Sequence, residues 1–255
     1  MARTNRMQTE TQNPANKFIK WSSKHEQWLY YDKQEQENIL LGLELQFLAL
    51  VRYKTIKGWN QKKEFSLISN EVKSLNDIIT VTAYPKNGEK YQLCSGDWKS
   101  IKDEVENNKG KYTESVYAML PDGEVVNLQL NGSSLSTWFE FQKNQTDRFF
   151  DNWVVVKGFK KGTQGAVEYT YPVFEWGTTL STEEQVFAES ADHKIGQYEE
   201  SYFGNSNDTK ENFRERSEVD KYEMENSKPP IPPTAVDAEL AMHDSLPQEY
   251  DDLPF

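Results

Sequence analysis

The 255-residue chain is 36% hydrophobic and 13% aromatic, with 41 acidic against 29 basic side chains and a formal net charge of -12. That length suits one sizeable domain with an appendage, or two small domains. No run approaches the roughly 18 apolar residues of a membrane span, and residues 1–16 lack the apolar core of a signal peptide, so a soluble intracellular protein is expected. The lone Cys94 excludes an internal disulfide and a cysteine-based zinc site.

The charge is unevenly placed. Residues 1–180 carry 23 basic and 22 acidic side chains, net +1, whereas residues 181–255 carry 6 and 19, net -13. All seven tryptophans (Trp21, Trp28, Trp59, Trp98, Trp138, Trp153 and Trp176) lie in the first part. A near-neutral aromatic body followed by an acidic extension is the expected organisation.

In chain order, residues 1–16 are polar, without a hydrophobic period, and are expected to form a flexible arm. From residue 17 onward, short aromatic and β-branched runs follow at 18–21, 28–31, 78–84, 91–94, 115–120, 125–130, 153–159 and 167–174. Turn signals such as Asn87-Gly88, Asp122-Gly123 and Lys161-Gly162 separate them, which is the pattern of a sandwich or barrel. Residues 40–51 fit both helical and strand periods and are read as strand. Residues 133–143 follow Asn131-Gly132 and offer hydroxyls for a helix N-cap, which predicts one short helix carrying Trp138. Ser181-Thr182-Glu183-Glu184 is a capping-box pattern ahead of Val186, Phe187, Ala191, Ile195, Tyr198 and Tyr202, predicting a helix that closes the body near Gly204. Residues 205–255 are acidic, poor in apolar side chains and contain Pro229-Pro230-Ile231-Pro232-Pro233, so a disordered tail with a reach of roughly 40 Å is expected.

Enzymatic signatures are missing. Lys109-Gly110-Lys111-Tyr112-Thr113 lacks the upstream glycine of a phosphate-binding loop and has tyrosine where a hydroxyl should follow the lysine. His25, His193 and His243 are far apart in sequence, and Asp32, Glu35, Glu37, Asp103, Glu104 and Glu106 read as solvated turn residues. No catalytic residue, metal site or cofactor is predicted. What stands out instead is interleaving of rings with basic side chains: Lys20, Trp21, Trp28 and Tyr30 on one expected hairpin, then Arg52, Tyr53, Lys54, Lys57, Trp59, Lys62 and Lys63, then Lys157, Phe159 and Lys160 with Lys161 on an expected hairpin tip. Exposed rings stack on bases irrespective of sequence, at about 1 to 3 kcal/mol each, while lysine and arginine track phosphates.

The chain ends Asp251, Asp252, Leu253, Pro254, Phe255. This terminus resembles the acidic tip, D-D-[IL]-P-F, of bacterial single-stranded DNA-binding proteins at all five positions. The body, with KFIKWSSKHEQWLYY at 17–31, Gly58-Trp59, Ser69-Asn70-Glu71-Val72 and a closing helix opened by Glu183-Glu184, resembles phage-encoded single-stranded DNA-binding proteins. The resemblance implies a mainly β, elaborated OB-fold barrel over residues 17–204 with one or two short helices, working in the cytoplasm of an infected bacterial cell. It also implies a non-enzymatic, sequence-tolerant coat for single-stranded DNA. Its tip would recruit a replication or recombination protein, such as a polymerase, primase, helicase or recombinase. Two other readings stay open. Exposed rings also stack on sugars, and Asn144-Gln145-Thr146 and Asn207-Asp208-Thr209 are glycosylation sequons, as in a carbohydrate-binding β-sandwich; a strand-annealing or scaffold protein of a replication complex would bind partners more than DNA.

Overall fold

The computed structural model describes residues 13–143, 148–149 and 151–204. They form strands β1 (Lys17–Ser22), β2 (Gln27–Asp32), β3 (Glu37–Gly42), β4 (Leu45–Asn60), β5 (Phe65–Ser69), β6 (Ile79–Pro85) and β7 (Tyr91–Gly96), then helix α1 (Trp98–Asn107). Strands β8 (Gly110–Met119) and β9 (Val125–Asn131), helix α2 (Gly132–Gln142), strands β10 (Asn152–Gln164) and β11 (Val167–Thr179) and helix α3 (Thr182–Phe203) complete a mainly β chain. Among the described residues no helix is long and apolar enough to cross a membrane. The expected tail, residues 205–255, and residues 1–12 lie outside the described range.

The sixteen-residue β4 organises the sheet. Leu45, Gln46 and Phe47 pair with β10, residues from Leu48 to Gly58 pair antiparallel with β8, and Lys57 to Asn60 pair with β5. A register shift between Ala49 and Val51 lies within the β8 ladder, just past the end of the β10 pairing at Phe47, and bends the strand there. The full order is β3-β2-β1-β9-β8-β4-β5-β6-β7, with β10 joining β4 and β11 joining β10. At Gly58 and Gly110 the two backbones come so close that a Cβ on Gly58 would lie 2.4 Å from the Lys109 carbonyl oxygen. Glycine is required there by contact, not by torsion.

The expected barrel is not closed. β9 pairs in parallel with β1, and β11 ladders only with β10. Side chains bridge the opening between β11 and the β1–β2 turn instead: the Trp21 indole N–H donates to the Thr170 carbonyl (3.0 Å), and the Thr170 amide donates to Ser23 Oγ (2.7 Å). Lys161 meets Glu26 at 3.4 Å across the same opening. Beneath lies the largest apolar cluster, with Ile19, Trp28, Phe47, Val116, Leu128, Trp138, Val154 and Phe174. α2, capped at Asn131 and packed on β9 and β11, buries Leu135 and Trp138 into it.

A second cluster forms where α3 lies on the opposite face, joining Tyr53, Tyr117, Met119 and Trp153 to Ala191, Ile195 and Tyr198. The capping box at its start is real: the Glu184 amide donates to Ser181 Oγ (3.2 Å) and the Ser181 amide donates to Glu184 Oε2 (2.7 Å). A third cluster, with Ile56, Phe65, Leu67, Val81, Ile101 and Val105, belongs to β5–β6–β7 and α1.

Several local expectations change. Asp103, Glu104 and Glu106 lie on α1, not in turns; Asp97 caps it by accepting from the Ser100 amide, and Ile101 and Val105 anchor it. Among the described residues three helices therefore replace the expected one or two, and α3 spans 22 residues. Lys161-Gly162 is not a turn: the strand continues to Gln164 and the chain reverses at Gly165 and Ala166. Residues 13–16, assigned to the arm, are tied down: Asn13 donates to the Tyr117 hydroxyl (2.8 Å), the Asn16 amide to the Val125 carbonyl (3.2 Å), and Ala15 is buried.

Candidate nucleic-acid interface

Strand alternation sorts the expected site residues onto two faces. Trp28 points inward, fully buried, its ring edge-on to Trp21 at 5.5 Å. Tyr53 is equally buried beneath α3, its hydroxyl donating to Glu199 at 2.7 Å. Neither ring is available to a strand of nucleic acid, and both leave the candidate set. Trp21 and Phe159 lie 6.1 Å apart and fill the opening between the two hairpins, and the Trp21 N–H is already committed to Thr170. Tyr30 packs half-buried against the main core with the Lys17 ammonium 5.4 Å from its ring centre.

Arg52 and Lys54 are occupied with their neighbours. Arg52 donates to Gln142 Oε1 at 2.7 Å and stands 3.8 Å from Glu114, while Lys54 donates to the Lys73 carbonyl at 2.7 Å. Burial raises the Glu114 carboxyl above its ordinary value, with Arg52 and Lys54 acting in the opposite direction. Lys62 and Lys63 are exposed on the β4–β5 turn, where Lys63 donates to Asn108 Oδ1 at 2.7 Å. Lys57 and Trp59 are half-buried on the outer face of β4.

The hairpin β10–β11 holds a different arrangement. Lys160 is exposed and pairs in register with Tyr171, and Gly162 pairs with Tyr169. Two residues apart, Tyr169 and Tyr171 share the outer face, with ring centres 6.0 Å apart and planes inclined by 37°. A Cβ on Gly162 would meet the Tyr169 ring at 2.5 Å, so the absent side chain is what lets that ring lie across the strand. Lys157 is exposed beside the bulge between Val156 and Gly158. On the main sheet, Lys20 lies in one cross-strand row with Gln129 and Leu29, and the 39% exposed Phe18 is its neighbour on that face. Tyr169 and Tyr171 were missed as candidates, although their spacing within a strand-length run places both rings on one face.

Between these groups α3 is latched by a carboxylate. Glu71 accepts from Ser115 Oγ (2.6 Å), the Tyr198 hydroxyl (2.9 Å) and the Tyr117 hydroxyl (3.0 Å), and its own amide donates to the Tyr202 hydroxyl (2.9 Å). Burial, reinforced by the Glu71 charge, raises the phenols of Tyr117 and Tyr198 well above the usual tyrosine range. Among the described residues no group of three or more His, Cys, Asp or Glu side chains is placed to hold a metal ion. The tip residues Asp251, Asp252, Leu253, Pro254 and Phe255 lie outside the described range. Compared with protein-family models, curated proteins and solved structures, the chain matches none.

Proposed function

We propose that this chain is a sequence-tolerant single-stranded DNA-binding protein built around an OB-type core. Counting β4, β8, β9, β10 and β11 as first to fifth strands, the ladders run fifth, fourth, first, second, third, and α2 falls between the third and fourth. This strand order supports the OB reading, in which β1, β2 and β3 would extend the third strand and residues 61–109 would be an insertion between the first and second. OB domains bind oligonucleotides on the second and third strands and on the connections after the first and fourth. The connection after the fourth is the β10–β11 hairpin.

The observation that carries the reading is Lys160 set beside Tyr171 and Tyr169 on that hairpin. Two neighbouring rings offer a base-stacking platform, and the adjacent ammonium offers a phosphate contact. The tip from Asp251 to Phe255 would dock on a replication or recombination partner, its apolar residues entering a pocket and its acids steering the approach. Tryptophan fluorescence during titration with a poly-dT oligonucleotide and with a matched duplex, at two salt concentrations, tests the proposal. A response to the single strand that weakens with salt supports it; a response to neither ligand overturns it.

A further inference from the structure

The outer face of β8 and β9 is polar, yet it is covered. Ser115 and Tyr117 on β8 and Asn127 on β9 share that face and are at most 2% exposed. The Asn127 amide donates to Ser115 Oγ at 2.6 Å, while its Oδ1 has no hydrogen-bond partner among the described residues. A sheet face that stays closed is ordinarily apolar, because a buried polar atom left unpaired costs stability. The cover is α3, and its two halves are held differently. Ahead of Gly196, the capping box, the Trp153 indole donating to Glu184 (3.2 Å) and the buried Ala191 and Ile195 fix the helix. Beyond Gly196, Tyr198 and Phe203 set their rings against Tyr53, and the rest of the hold is hydroxyls and charges. Tyr198 donates to the Glu71 carboxylate, the Glu71 amide donates to Tyr202, Tyr53 donates to Glu199, and Lys73 meets Glu199 at 2.9 Å. Water or a polar ligand can replace such bonds, each of modest net worth. A Cβ on Gly196 would meet nothing within 4 Å, so packing does not call for glycine at the point where it weakens the helix.

We infer that residues 197–203 are a lid over the β8–β9 face, hinged at Gly196 and latched on Glu71, that swings aside when a single strand binds. The inference rests on the single-strand reading above, in which β8 and β9 are the strands that meet the ligand. The closed form is then the resting state. Apparent affinity carries the cost of opening, because only the open fraction binds at full strength.

Hydrogen exchange of the full chain with and without a saturating dT oligonucleotide reads the lid directly. Amides 197–200, whose helical bonds cross Gly196, should lose protection on binding. Titration and thermal unfolding of Tyr202→Phe and Gly196→Ala supply the energetics. Tyr202→Phe keeps the ring and removes one latch bond, so it should bind about two- to tenfold more tightly than wild type while unfolding no higher. Gly196→Ala stiffens the hinge, so it should bind up to roughly fivefold more weakly while unfolding at or above the wild-type temperature. A helix that merely buttresses the sheet predicts those stability changes with affinity untouched. Unchanged or increased protection at 197–200, or wild-type affinity in either variant, overturns the lid and leaves the single-strand reading standing. A wild type that does not bind the oligonucleotide overturns that reading and this inference with it.

Discussion

The backbone amide of Thr170 on β11 donates to the hydroxyl of Ser23 in the β1–β2 turn at 2.7 Å, joining two hairpins that share no backbone ladder. Thr170 is buried, and its own hydroxyl also reaches the Ser23 carbonyl at 3.2 Å. Ser23→Ala removes the acceptor and strands a buried amide, which costs about 1 to 3 kcal/mol. Urea unfolding should show that loss, and Trp21, whose indole bonds Thr170, should report it locally by fluorescence. Unchanged stability would mean that the hairpins hold together through apolar packing alone.

Trp28 and Tyr171 separate stability from binding. Trp28→Ala removes a fully buried ring from the main core and should cost about 3 to 5 kcal/mol in unfolding free energy. Tyr171→Ala removes a ring from the outer face of the hairpin, and should lower affinity for dT oligonucleotides by about 1 to 3 kcal/mol while leaving the unfolding midpoint nearly in place. Isothermal titration together with denaturant melts reads both quantities. A Tyr171→Ala protein that melts early but binds normally would remove the hairpin from the interface.

Glu114 predicts how stability depends on pH. Its side chain is 2% exposed, its Oε2 has no hydrogen-bond partner among the described residues, and burial raises its folded-state pKa above the ordinary 4.5. A carboxyl with a raised folded-state pKa contributes stability that is fully present below its unfolded value and lost as pH rises through the folded one. Glu114→Gln, which cannot ionise and leaves the Arg52 to Gln142 bond in place, should therefore melt above wild type at pH 8 and lose that advantage by pH 4. Thermal unfolding across this range checks the sign; a variant less stable than wild type at pH 8 would show that the attraction to Arg52 outweighs desolvation.

The elements most legible in the sequence are those whose side chains alternate or whose ends carry caps. Each expected run overlaps a strand, and both Ser181 with Glu184 and Asn131 mark real helix starts. β5 escaped because Phe65, Ser66, Leu67 and Ser69 are buried on both faces, which erases the alternation. α1 escaped because its three apolar side chains, Trp98, Ile101 and Val105, are set in an otherwise polar run. The open sheet was illegible for another reason: closure is decided by which strand sits beside β9, and β1, from the start of the domain, takes that place in parallel. Ring exposure was the weakest point of the site. Trp28 and Tyr30 share a face by alternation, but whether that face meets solvent depends on α2 and β11 packing from more than a hundred residues away.

The uneven charge gives the last prediction. Residues 205–255 carry 13 acidic and 5 basic side chains, net -8, against a body of net +1 over residues 1–180. An acidic segment is repelled by phosphate and attracted to lysines such as Lys57, Lys157 and Lys160, so it competes with DNA through a force that salt screens. Truncation after Gly204 should tighten binding to a dT oligonucleotide several-fold at low salt, and the gain should shrink as ionic strength rises. Removing Phe255 alone keeps nearly all of the acidic charge, so DNA affinity should stay where it was while capture of a replication partner is lost. Fluorescence titration of the three proteins at two salt concentrations separates the effects. An unchanged affinity after truncation contradicts competition by the acidic segment, and a large loss of DNA binding on deleting Phe255 contradicts a tip reserved for partners.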